Sequence, residues 1–189
     1  MHLIFRTLLV LLKARRRSAL SVWETSSLPL KALPTDIDFA MIVNNGMYFS
    51  LMDLGRFDLL ARSGFWDLMM KRKWTPVVQS EQISFRKSIR LWQRFSLETR
   101  IIGVDEKCIW IEQRFVREGE IYARGYLATR FVDASGAVEL QEIIDAVRTE
   151  LGQTLPEDFT VPDWLHEWRG NVALPGTRRP APHVWSDLR

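Results

Sequence analysis

Two aspartates stand two residues apart just ahead of a helical pattern, in Thr35-Asp36-Ile37-Asp38. The apolar run Phe39 to Val43 follows, and then Asn44-Asn45-Gly46. A carboxylate at the entrance to a helix can do two kinds of work. It can cap the helix or hold a turn, the common task of Asp in that place. It can also attack an electrophilic carbonyl or take a proton from water. The second task gains from the helix start, whose unpaired N–H groups and partial positive charge stabilise an oxyanion. Other chemistries find less support. A single cysteine, Cys108, excludes an internal disulfide and any cysteine-clustered zinc site. His2 and His183 lie near the ends and His166 in the tail, so no metal site is expected. No Gly-x-Ser-x-Gly elbow occurs, which leaves a serine-hydrolase triad of that type unsupported. The preceding LKALPT is not a buried apolar strand, a poor setting for a metal-binding Asp-x-Asp pair.

The elements that must position these residues can be read from periodicity. Tyr48, Leu51, Met52, Gly55 and Leu59 form one stripe on a helix expected over 46–62, with Asn44 or Asn45 as N-cap and Gly64 as stop. Gly55 inside that stripe points to close approach of a sheet. A second short helix is expected over 65–74. Four strands should follow as a meander. Val77, Gln79, Glu81, Ile83 and Phe85 are expected on one face of the first, and Phe95, Leu97, Thr99 and Ile101 on one face of the second. Ile109, Ile111 and Phe115 belong together on the third, and Ile121, Ala123, Leu127, Thr129 and Phe131 on the fourth. Val104–Lys107 and Arg117–Glu120 read as hairpin turns, and Asp133–Gly136 as a closing turn. A helix returns over 138–151, and a Trp-rich element starts at Asp163 before a Pro-rich end. With strand-like alternation over 21–34 ahead of the long helix, the order gives an α+β fold. One apolar helix face is wrapped by a curved antiparallel sheet.

The chain has 189 residues, 47% apolar and 26% charged, as expected of a globular domain with a substantial core. Of its 26 Lys and Arg, six cluster near the ends: Lys13, Arg15, Arg16, Arg17, Arg178 and Arg179. The remaining 20 face 23 acidic residues, so the body is slightly acidic and no nucleic-acid-binding face is expected on it. Leu3 to Leu12 is apolar but too short to span a bilayer, and Arg6 interrupts it. Its charge follows the apolar run, the reverse of a signal peptide. Two readings stay open for residues 3–17: an arm packed on its own protein or a dimer partner, and a peripheral membrane anchor with its arginines on anionic headgroups. The domain reading is an arm over 1–20, a central domain over 21–151 and an extension over 152–189. Cysteine usage fits a reducing compartment, so the expected location is cytoplasmic, with membrane association left open.

The central segment resembles the hotdog-fold acyl-CoA thioesterases of the 4-hydroxybenzoyl-CoA thioesterase type. That family shows Asp-x-Asp-x-x-Gly-His-apolar-Asn-Asn-x-x-Tyr before its central helix and Glu-x-Ala-Arg on it. Here the matching residues are Asp36-Ile-Asp38, Val43-Asn44-Asn45, Tyr48 and Asp53-Leu-Gly-Arg56. The likeness runs on through Val77 to Glu81, Arg86 and the strands to Asp133, covering roughly Pro34 to Val147. It implies a hotdog fold, a homodimer or tetramer, an acyl-CoA substrate and no cofactor. It also implies that Asp38 takes the catalytic position, as nucleophile or as general base, and that the Asn45 backbone N–H polarises the thioester carbonyl.

Further substrate contacts are expected from Asn44, Tyr48, Arg86 and Lys87. Each has a plainer reading. Tyr48 suits the core, and Arg86, Lys87 and Arg90 suit a solvated basic edge. Asp53 and Arg56 suit an i,i+3 ion pair. The family's Gly-His is Met41-Ile42 here, which sets hydrolysis against a non-catalytic acyl-CoA or lipid-binding protein at a membrane surface as the rival function.

Overall fold

A computed structural model describes residues 3–157, 159–176 and 179–181 of the chain. His2, Arg178 and His183 lie outside the described residues. The elements are α1 (Ile4–Ala14), β1 (Ser26–Lys31), α2 (Asn45–Arg62), α3 (Phe65–Arg72), β2 (Thr75–Phe85), β3 (Arg94–Val104), β4 (Ile109–Arg117), β5 (Glu120–Asp133), β6 (Gly136–Ala137), α4 (Leu140–Leu151) and α5 (Asp163–Val172). The strands form one antiparallel sheet in the order β1-β3-β4-β5-β2, with β6 added beside β5.

The sheet curves around α2. Tyr48, Leu51, Met52, Gly55 and Leu59 are all buried, so the stripe read from the sequence is the face that meets the sheet. Contact is closest at Gly55. A Cβ there would lie 2.5 Å from Thr99 Oγ1 and 2.8 Å from both Gln113 Nε2 and Leu97 Cδ2. The same side chains form a buried polar clamp. Gln113 Nε2 donates to Met52 O (2.9 Å) and to Thr99 Oγ1 (2.8 Å), while its Oε1 accepts from Arg56 Nη1 (2.9 Å). Gln113 occupies the slot between Ile111 and Phe115 on the inner face of β4, where the alternation would have placed an apolar residue.

Two of the expected strand faces need correction, and a bulge explains each. In β2 the pairing with β5 skips Gln79: Val78 lies opposite Thr129, and Ser80 opposite Ala128. One extra residue reverses the alternation. Val78 therefore joins Glu81, Ile83 and Phe85 on the inner face, and Val77 turns outward. In β5 the extra residue is Tyr122, since Phe115 pairs with Ala123 and Val116 with Ile121. Tyr122 is buried and Ile121 only half-buried, so Ile121 leaves the inner set.

The sheet's outer face has its own cover. Cys108, Trp110, Ala128, Val161 and Leu165 form a second apolar cluster there. Asp105 ties it down, accepting from Trp110 Nε1 (2.7 Å) and Arg169 Nη1 (3.1 Å). The Trp-rich element that starts at Asp163 is thus α5, packed on the back of the sheet.

Gly55→Ala would force a methyl group into the clamp. The expected loss is about 1–3 kcal/mol, the usual cost of overpacking a well-filled core. Urea unfolding monitored by tryptophan fluorescence measures it. An unchanged midpoint would show that the contact is looser than its distances imply.

Candidate active site

The segment between β1 and α2 folds back on itself. Asn44 N donates to Asp36 O (2.9 Å), Ile37 bridges Val43, and Asp38 N donates to Ile42 O (2.9 Å). The result is a small hairpin over 36–44 with Phe39, Ala40 and Met41 at its tip. The segment after β2 backs it: Val43 N donates to Ile89 O, Leu91 N donates to Met41 O, and Ile42 bridges Arg90. Asp38 and the start of α2 are thereby held at one end of the molecule.

The two aspartates have separate environments. Asp36 is fully buried and accepts two bonds from Arg6 Nη1 (2.8 and 2.7 Å) and one from Leu33 N (2.9 Å). It holds the turn and also fastens α1 to the domain. Asp38 is half-buried, and Oδ1 accepts from Ala40 N (2.8 Å). No side chain among the described residues bonds to it, so its carboxylate remains available. Phe39 beside it is wholly exposed and Met41 half-exposed.

Asn44 is the N-cap of α2. Its Oδ1 accepts from Gly46 N (2.9 Å) and its carbonyl from Met47 N (2.9 Å). That is a capping role. Asn45 is the first helical residue, exposed, and no hydrogen bond among the described residues uses its N–H. Asp38, on the hairpin that leads into α2, and the Asn45 N–H, at the first helical residue, are both without a side-chain partner among the described residues.

The remaining expected contacts fall elsewhere. Tyr48 is 2% exposed, with its ring edge-on to Phe85 (5.0 Å) and Phe115 (4.8 Å). Burial pushes its hydroxyl above the usual tyrosine value, while the Ile89 backbone opposes the shift. It packs in the core and braces the hairpin's support. Arg86 and Lys87 are exposed and both pair with Glu120. Two cations thus share one carboxylate on β5. Arg90 sits beside Ile42 and has no partner among the described residues.

The family's glycine position is occupied by Met41 at φ 60°, the left-handed region where an L side chain is strained and glycine is not. Two further residues escaped notice in the sequence. Arg56 pairs with Asp53 as expected, but also with Glu81 (3.1 Å) and Gln113. Burial raises the Glu81 carboxyl above its usual value, against the pull of Arg56. The signal for Gln113 was present, as a polar residue in the apolar phase of β4. Glu81 carried the same signal, as a polar residue in phase with Ile83 and Phe85 on β2. Cys108 is no rival nucleophile, since burial pushes its thiol up to about 11.

Comparison with known proteins settles the family. Residues 32–168 match the model of the thioesterase-like superfamily. The chain belongs to that superfamily. Protein THEM6 of Xenopus laevis is 33% identical over 126 residues, 66% of this chain and 61% of that protein. The probable thioesterase YBR096W of Saccharomyces cerevisiae is 29% identical over 113 residues, 58% of this chain and 49% of that protein. This thioesterase-like chain thus spans about half to three fifths of those relatives. The solved structure of YbaW, a probable thioesterase from Escherichia coli, aligns with a TM-score of 0.60 at 20% identity, covering 69% of this chain and 98% of that one. The fold is accordingly the α+β hotdog fold.

The contrast between the two aspartates is measurable as stability. Arg6→Met leaves Asp36 buried without its cation, and should cost about 3–5 kcal/mol. Asp38→Asn should change stability by no more than about 0.5 kcal/mol. Chemical denaturation of both variants gives the comparison, and equal losses would contradict the separate roles.

Proposed function

We propose that this thioesterase-like chain hydrolyses acyl-CoA thioesters at the entrance to α2. The observation that carries the reading is the free Asp38 carboxylate at the same helix start as the unpaired Asn45 N–H. The thioester oxygen accepts from that N–H, where the helix dipole favours developing negative charge. The Asp38 carboxylate then adds to the carbonyl carbon, expels the coenzyme A thiolate and leaves an anhydride that water opens. Alternatively, it takes a proton from water that attacks the same carbon. Either route ends in a carboxylic acid and a thiol. In this reading Arg90, a cation beside the hairpin with no partner among the described residues, meets a coenzyme A phosphate.

The working assembly in this reading is a homodimer. β2 ends the sheet with 11 residues whose far edge has no paired strand among the described residues, and Val77, Val78 and Phe85 on it are exposed. Phe39 at the hairpin tip is likewise uncovered within one protomer. A second protomer would cover both and close the site over Asp38. A monomer with full activity would contradict this.

A second reading concerns location, and α1 favours it. Phe5, Leu8, Leu9 and Leu12 fall at i, i+3, i+4 and i+7, and all four are exposed. Leu3, Val10 and Ala14 face inward. Arg6 to Asp36 and Arg17 to Asp58 (2.8 Å) hold the helix to the domain. Lys13, Arg15 and Arg16 are exposed at its end. We read this face as a contact with an anionic membrane surface. No helix of the described residues is long and apolar enough to cross a membrane.

Asp38→Asn should lower kcat on acyl-CoA by roughly 100-fold or more while substrate affinity holds. Ile42→His should keep or raise the rate. Wild-type turnover in the Asn variant would refute the assignment. Acyl-CoA binding without any wild-type turnover would favour the non-catalytic binding protein.

Replacing Phe5, Leu8, Leu9 and Leu12 together with Ser leaves both ion pairs in place. It should abolish binding to phosphatidylserine-containing vesicles. Binding of the unaltered chain should weaken as salt rises to roughly 0.5 M. Vesicle flotation reads both effects, and undiminished binding of the Ser variant would dismiss the membrane contact.

A further inference from the structure

α1 runs beside the free edge of β1 on two struts. Arg6 Nη2 donates to Lys31 O (3.3 Å) and Arg17 Nη2 to Ser27 O (2.6 Å). The struts stand about 16 Å apart on the helix and about 13 Å apart on the strand. A groove of about 720 Å³ lies between the two elements. Small-molecule sites span roughly 300–1,000 Å³, so it has the size of one. An added strand finds little to bind there. The Ser27 and Lys31 carbonyls are taken, and Pro29 between them has no N–H to give.

The lining has two characters. Leu9 and Val10 of α1, Leu28 and Leu30 of β1 and Phe95 of β3 give it an apolar wall. Six cations line it against two carboxylates, Asp58 and Glu118. Arg6, Arg17 and Arg117 are paired, with Asp36, Asp58 and Glu118. Lys13, Lys31 and Arg94 are exposed and have no carboxylate partner among the described residues. Lys31 and Arg94 stand directly opposite one another in the register of β1 on β3, where like charges repel. The Trp92 ring lies 4.7 Å from Lys31 Nζ and offsets part of that cost. An anion held by both cations would remove it.

We propose that the groove binds one phospholipid molecule of net negative charge. Its phosphate accepts from Lys31 and Arg94, and a chain lies on the apolar wall. A bilayer is the source, because Leu9 belongs both to this wall and to the outward stripe of α1. The groove therefore opens where that stripe meets the membrane. This rests on the membrane reading of α1 and names the lipid. β1 and β2 are opposite ends of the sheet, so a dimer formed through β2 leaves the groove open.

Dihexanoyl phosphatidic acid, kept below its micellar concentration, is titrated calorimetrically into the full chain. Dihexanoyl phosphatidylcholine supplies the same chains without net charge, and glycerol 3-phosphate the same phosphate without chains. The phosphatidic acid should bind about tenfold more tightly than either, or better. Lys31→Ser combined with Arg94→Ser should bring it down to the phosphatidylcholine level. Stability to urea should hold or rise in that variant, since the two exposed side chains repel. Arg94→Ser alone spares the Lys31–Trp92 contact and should lose part of the preference. Leu9→Ser should weaken both lipids alike.

Equal affinity for the two lipids would overturn the proposal. So would phosphatidic acid that binds no tighter than glycerol 3-phosphate, a preference that survives the double substitution, or no binding at all. Displacement of phosphatidic acid by a hexadecanoyl-CoA thioether that the double variant no longer binds would give the groove to a substrate and overturn it too. Exchange of Phe5, Leu8 and Leu12 for Ser spares Leu9. Loss of vesicle flotation in that variant, with phosphatidic acid affinity retained, supports both the membrane contact and the groove. Flotation retained would dismiss the membrane contact, and the titration alone then upholds or overturns the lipid site.

Discussion

The docking of α2 into the sheet at Gly55 is the constraint on which the rest of this structure depends. With no side chain at that point, the helix backbone comes within reach of Thr99 and Gln113. Gln113 then bonds to the Met52 carbonyl and fixes the helix along its axis and around it. A purely apolar contact would leave both freedoms weakly specified, because burial is not directional. The clamp costs a buried amide, and its full set of partners offsets that cost.

Once α2 is fixed, its ends have definite places. The N-terminal end emerges where the 36–44 hairpin folds back, and the support of 89–91 keeps that hairpin from spreading. The site needs a rigid helix start and an unencumbered carboxylate together. The hairpin meets both needs by dividing the work. Asp36 is consumed by Arg6 and by the turn, and Asp38 has no side-chain partner among the described residues. The same division explains why two such similar residues sit two positions apart.

The extensions complete different faces. α1 is held by buried carboxylates on α2 and on the hairpin, yet turns its own apolar stripe outward. α5 does the reverse and buries Leu165 against Trp110 on the sheet's back. Apolar area withheld from one's own core is a surface for something else, whereas apolar area laid on the sheet is stability. Two tryptophans serve the two faces of the sheet. Trp110 serves the back of the sheet and Trp23 lines a cavity on its inner side.

The sequence by itself determined the long helix and its buried stripe, the meander, its turns and the aspartate motif at the helix entrance. These rest on short-range rules: a 3.6-residue period, a two-residue period, and capping and turn residues that act within a few positions. Only tertiary structure decided which carboxylate is free, because Arg6 reaches Asp36 across 30 residues. Likewise, only the folded sheet showed that Gln79 and Tyr122 are bulge residues. Register belongs to two strands at once, and one extra residue turns all that follow to the other face. That Arg86 and Lys87 share Glu120, from a neighbouring strand, was likewise not written in their own segment. The groove between α1 and β1 was the least legible feature, since its walls are drawn from segments far apart in the chain and only their pairing sets Lys31 opposite Arg94.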